Sequence, residues 1–209
     1  MTSNTDLARE KQLQRRGRIM GAAIMAVIFF PMAVAYTIYH TGIGMPGSTI
    51  NRGDLLDPPQ AFQSLQPHQL DGSPWLLDEH KRKWRWLIPG GAECNTQCQQ
   101  NLYLSRQVHI RLAEKSYRVE RFYLLLDDTI TENTLRFLHD EHPHVTVVKL
   151  NKDTLEAALA AAGQPEALEQ HRYFLMDQEG FVMMSYSPAH TGQQLLDDIK
   201  RLLKFSYED

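Results

Sequence analysis

Cys94 and Cys98 are the only cysteines in a chain of 209 residues, and three residues separate them. They follow Trp84-Arg85-Trp86-Leu87-Ile88, which reads as a buried strand, and Pro89-Gly90-Gly91, which reads as a turn. The cysteines therefore sit at the opening of a helix. There, positions i and i+4 share a face, close enough for two sulfurs to share a bond or a metal. The first backbone N–H groups of a helix and its dipole also favour thiolate over thiol. Three chemistries remain open. Cys94 can attack a disulfide with Cys98 resolving, the pair can bind a metal, or the two can form a static disulfide. A zinc ribbon needs four such ligands and is excluded.

Around this stretch the apolar pattern lays out a domain. Lys83 to Ile88 is a predicted strand, and Thr96 to Lys115 a predicted helix with Leu102, Leu104, Val108 and Leu112 facing the core. Arg118 to Leu126 is a second strand, apolar enough to be covered on both faces. Thr131 caps a helix through Asp140; Val145 to Leu150 is a third strand; Asp153 to Ala162 is a helix ended by Gly163. Tyr173 to Met176 and Phe181 to Tyr186 form a hairpin around Asp177-Gln178-Glu179-Gly180, and Thr191 to Lys204 is an amphipathic last helix. This order gives an α/β sandwich with helices on both faces of a central sheet. Trp84 and Trp86 read as core. Asp127 and Asp128 lie near the cysteine edge, and His109 reads as a helix-surface residue.

Ahead of the domain, Met1 to Arg18 is polar and basic, and Ile19 to Tyr39 runs 21 residues without a charge. That run is long enough to cross a bilayer as a helix and tolerates Pro31. Beyond it the first Lys or Arg is Arg52, so the basic excess is N-terminal. The asymmetry puts the N-terminus in the cytoplasm and the rest across the membrane. Ala33-Val34-Ala35 resembles a signal-peptidase site, but the apolar run continues past it, which favours an uncleaved signal anchor. A bacterial periplasm is oxidising and suits a reactive cysteine pair. The expected organisation is a basic tail over 1–18, a span over 19–39, a linker and domain entry over 40–74, and the domain over 75–209.

Within 40–74, Gly42, Gly44, Pro46 and Gly47 mark a spacer. Leu55-Leu56 precede Pro58-Pro59, a pattern that can pack on a domain edge but not inside a sheet. A short exposed strand is expected near Phe62–Leu65, and a turn at Asp71-Gly72-Ser73-Pro74. A formal charge of −3 and the lack of a basic stripe beyond the tail give no reason to expect nucleic acid. His139, His142 and His144 form a second group able in principle to bind Zn(II) or Cu(II), although a helix end favours a histidine in any case.

Cysteines opening the first helix after an early central strand is the thioredoxin arrangement. With the anchor, Cys94-x-x-x-Cys98, Asp127 after the next strand and His171 before the hairpin, the chain resembles the Sco/SenC family. These are thioredoxin-fold copper proteins of cytochrome c oxidase assembly. The likeness covers Trp84 to Leu203 and the anchor. It implies copper held by Cys94, Cys98 and His171, with cytochrome c oxidase subunit II or other oxidase assembly factors as partners. It also implies a single-pass protein of the bacterial inner membrane with a periplasmic domain. Soft sulfurs suit Cu(I) and imidazole suits Cu(II), so this donor set can carry either state. The family's proline after each cysteine is replaced by Asn95 and Gln99, which marks a divergent branch. Two alternatives stand beside this one: a thiol–disulfide oxidoreductase with catalytic Cys94 and Cys98, and a non-catalytic assembly factor with a static disulfide. Dithiol oxidoreductases of this fold place a cis-proline against the cysteines; here Pro165 comes six residues too early and His171 takes the neighbourhood.

Overall fold

The computed structural model describes residues 4–41 and 50–207, in two compact units, Met1–Thr49 and Ile50–Asp209. The first unit holds one helix, α1 (Asn4–Thr41), so the basic tail is helical from Asn4 onward. Its stretch Arg15–Thr41 is long and apolar enough to cross a membrane, and its side chains are exposed throughout. The spacer at 42–49 lies outside the described residues.

The second unit holds a six-stranded sheet. Its strands are β1 (Asp54–Ala61), β2 (Trp84–Gly90), β3 (Val119–Leu125), β4 (Val145–Lys149), β5 (Tyr173–Met176) and β6 (Phe181–Tyr186). They lie in the order β1-β6-β5-β2-β3-β4. The β2–β3 and β3–β4 pairs are parallel, while β1–β6, β6–β5 and β5–β2 are antiparallel. Four helices complete the unit: α2 (Thr96–Arg111), α3 (Glu132–Glu141), α4 (Lys152–Ala161) and α5 (Gly192–Phe205).

Side chains alternate across each strand, and the sheet therefore builds two cores. On one face Trp86, Ile88, Tyr123 and Leu125 pack with Leu102 of α2, Leu138 of α3 and Leu195 and Ile199 of α5. On the other, Leu87, Phe122 and Leu124 pack with Leu155 and Leu159 of α4. Helices cover both faces, and Trp84 and Trp86 are core as expected.

Three local expectations need correction. Phe62–Leu65 is not an exposed strand but a 3-10 turn with Phe62 and Leu65 buried, because positions i and i+3 of a 3-10 helix stack on one side. The first domain helix stops at Arg111, and Ala113, at φ 49, turns the chain into a 3-10 segment, Ala113–Arg118. Residues 50–74, expected as an entry segment, belong to the compact unit. They supply β1, where a shift in register between Leu55 and Gln60 accommodates Pro58-Pro59 at the sheet edge.

Candidate functional site

The cysteine turn is shaped where β2 ends against β3. The Tyr123 ring occupies the space that a Cβ on Gly90 would need, and a Cβ on Gly91 would come within 2.7 Å of the Asp127 carboxylate. Only glycine lets the backbone pass this close. Asp127 Oδ2 accepts from the backbone N–H of Ala92 at 2.6 Å, and the Tyr123 hydroxyl donates to the carbonyl of Gly91 at 2.6 Å. Burial, with Asp127 nearby, pushes the Tyr123 phenol well above its ordinary range, so it remains a neutral donor. From α3's cap, the backbone N–H of Thr131 donates to the carbonyl of Ala92 at 3.1 Å. Asp128, by contrast, points away and pairs with Lys149.

Beyond the turn, Asn95 is the N-cap of α2, and its side chain accepts from the backbone N–H of Cys98 at 2.9 Å. Cys94 and Cys98 form a disulfide with Cα atoms 5.3 Å apart. Both residues are mostly covered, at 8% and 6% exposure. Cys98 lines a cavity of about 240 Å³ whose walls also include Pro89, Gly91, Asn95, Asn101 and His171.

His171 reaches the cavity from the loop ahead of β5. Its backbone takes the left-handed conformation (φ 53), and its N–H donates to the carbonyl of Leu168 at 3.0 Å. The buried Asn101, one turn after Cys98, donates its amide to the carbonyl of His171 at 3.0 Å and accepts from Gln97 at 3.1 Å. Among the described residues the one cis peptide bond is Asp57–Pro58 in β1, away from this cavity. The structure thus brings Cys98 and His171 to one cavity, and Cys94 is joined to Cys98 by the disulfide.

Cys98 and His171 line one cavity, and sulfur and imidazole are donor types that suit copper. In the disulfide form the sulfurs are bonded to each other, and no group of three His, Cys, Asp or Glu among the described residues is close enough to hold a metal ion.

Among the described residues, the other histidines noted in the sequence do not gather into a ligand group. His109 is not a surface residue. It is half-buried, with Nε2 3.0 Å from both the Ser116 and Val119 carbonyls, and burial lowers its pKa. His142 is buried against Phe137 while His139 is exposed beside Asp140, so the group does not converge. Asn101 and Tyr123 were not singled out from sequence. A signal for Asn101 existed: a polar residue three positions after Cys98 on an otherwise apolar face.

Residues 84–206, more than half of the chain, match the family model described as transmembrane-like, thioredoxin-like, C-terminal domain. No curated protein matches. Among solved structures, copper-bound Sco1 from yeast is 14% identical with TM-score 0.53, covering 77% of this chain and 97% of its own. Copper-bound ScoI from Arabidopsis thaliana is 16% identical with TM-score 0.52, covering 74% and 99%. Apo Sco1 from Thermus thermophilus is 16% identical with TM-score 0.51, covering 75% and 99%. At these identities the likeness is one of fold, a thioredoxin-like sandwich.

Proposed function

Because the chain belongs to the transmembrane-like, thioredoxin-like family, we propose that it is a membrane-anchored, Sco-like copper and thiol protein that serves the assembly of the cytochrome c oxidase copper centre. The observation that carries this reading is the shared cavity of Cys98 and His171. Copper is its cargo, and subunit II or another oxidase assembly factor is its partner. The N-terminus is cytoplasmic, and the domain works on the periplasmic side of a bacterial inner membrane. The charge asymmetry about the span supports that orientation, and an oxidised pair is at home in that compartment.

Before loading, the Cys94–Cys98 bond takes two electrons and two protons from a dithiol reductant, which leaves as a disulfide. Metal binding then displaces the thiol protons, and His171 swings in as third ligand. An open three-ligand site suits a protein that must release its ion.

The formed disulfide supports a second reading, a thiol–disulfide oxidoreductase. In that case Cys94 attacks a substrate disulfide and Cys98 resolves the mixed disulfide. Copper titration of the reduced full-length chain separates the two. The chaperone reading expects one ion per chain, lost in Cys94→Ser and Cys98→Ser and much weakened in His171→Ala. Equal loading by wild type and His171→Ala overturns the three-ligand site. No loading at all, with disulfide exchange intact, leaves the oxidoreductase.

A further inference from the structure

We propose that the place where α2 and α3 cover the start of β3 is a binding site for a small oxyanion, whose oxygens accept from the free N–H groups of the Arg121 guanidinium. The site lies toward the end of β3 opposite the cysteine turn and is independent of copper and thiol chemistry.

Arg121 stands in β3 between Val119 and Tyr123, and strand alternation puts all three on the face covered by α2, α3 and α5. The residue is 2% exposed, and among the described residues its Nε and Nη1 have no hydrogen-bond partner. Burial and the like charge of Arg106, on α2, lower its pKa to about 10, which still leaves it charged at neutral pH. His142, 3% exposed at the end of α3, contributes a second buried atom without a partner, Nδ1, and feels both guanidinium groups.

Two other buried arginines show what Arg121 lacks. Arg85 donates to the Glu120 carboxylate and to the carbonyls of Lys81 and Lys83. Arg118 donates to the carbonyls of Leu203, Ser206 and Tyr207. The acids near Arg121 are engaged elsewhere. Glu141 is exposed and lies 3.7 Å from Arg106. Glu120, on the alternate face of β3, takes Lys83 at 2.8 Å and Arg85 at 3.0 Å. One buried positive charge is therefore left over, and burying a charge without a counter-charge is costly.

The chemistry of the group and its burial define the ligand. A guanidinium fork matches two oxygens of one anion, the geometry of a phosphate or a carboxylate. Arg121 is too deeply covered to meet the surface of a macromolecule, so the anion is one of few atoms. Room lies next to it. Val119, two residues earlier on the same strand face, and Val145, the register partner of Arg121 on β4, wall a cavity of about 410 Å³ together with His109 and His144.

The test is urea denaturation of the full-length chain in detergent, in chloride buffer of fixed ionic strength, with inorganic phosphate or acetate as the probe. An anion held only by the fold raises the folding constant, by roughly tenfold for each tenfold rise in ligand once the site fills. That rise is expected with phosphate, and a matching rise with acetate would extend the site to carboxylates. Arg121→Met, which is uncharged, should fold at least as well in chloride and lose the response. Arg106→Gln, at a half-buried position, should weaken the response several-fold, which keeps the test sound if Arg121→Met does not fold. An equal response in wild type and in both variants is a general salt effect and overturns the site. Wild type that responds to neither probe also overturns it. Glu141→Gln should leave the phosphate response intact; a variant that unfolds more easily in chloride and no longer responds would make Glu141 the counter-ion of Arg121, and would overturn the proposal as well.

Discussion

The side-chain amide of Asn101 donates to the backbone carbonyl of His171 at 3.0 Å, across 70 positions of sequence. This bond ties the helix that carries Cys98 to the loop that carries the candidate third ligand. Asn101→Leu keeps the branched shape but leaves a carbonyl unpaired. Expected is a loss of about 1–3 kcal/mol in urea denaturation. Amide exchange at residues 168–172 should accelerate. On the copper reading, affinity should also fall by roughly 10–100-fold with both cysteines intact, as for lost outer-shell support. Unchanged exchange at these amides would remove Asn101 from any positioning role.

Asp127 holds the backbone N–H of Ala92, two residues ahead of Cys94. Its side chain is exposed, so the bond contributes about 1 kcal/mol at most. Asp127→Ala should cost that much and loosen the turn. The clearer readout is kinetic: reduction of the disulfide by dithiothreitol should run several-fold faster than in wild type. Tyr123→Phe, which removes the donor to the Gly91 carbonyl, should act in the same direction. Equal reduction rates in all three proteins would mean that the turn is held by the chain path alone.

Much of this was legible in the sequence because apolar runs were bracketed by strong turn signals. The hairpin strands Tyr173–Met176 and Phe181–Tyr186 occur as expected, around a turn in which Gly180 takes φ 88. Thr131 and Thr191 cap the helices predicted to begin there. What escaped depended on contacts between distant segments. Pro58-Pro59 argues locally against pairing, yet β1 pairs with β6 at the sheet edge. The His109 ring finds two carbonyls that only the fold brings near it. The sequence left disulfide, metal and exchange open for Cys94 and Cys98, since spacing fixes proximity and not oxidation state.

Buried Asp198 of α5 shows how a single group can tether the domain's first residues. It accepts from the backbone N–H groups of Arg52 and Gly53 at 2.9 and 3.0 Å and from the Tyr186 hydroxyl at 3.1 Å. Asp198→Ala orphans three donors together and should cost about 3 kcal/mol or more. Asp198→Asn keeps an acceptor in place and should cost less. Proteolysis of the full chain should then cut faster near residues 50–56 in Asp198→Ala, ahead of global unfolding. Cleavage there at the wild-type rate would place the tether elsewhere.

His142 gives the domain an acid-side limit. Its ring is buried, Nδ1 finds no partner, and burial together with Arg121 and Arg106 lowers its pKa from 6.5 to about 4. In the unfolded chain the ring takes up a proton as pH falls through 6.5, while in the folded chain it stays neutral until about 4. The unfolded state thus binds more protons across that window, and stability falls with pH, by up to about 3 kcal/mol from this one group. His109, also lowered by burial, adds to the slope in the same direction. His142→Leu keeps the contact with Phe137 and removes the titration. Urea denaturation from pH 7 down to pH 4 should then show a shallower decline in the variant than in wild type, with the two curves separating below pH 6.5. Parallel curves would mean that the ring is protonated in the fold, paired with a group that the packing of α3 on β3 does not reveal.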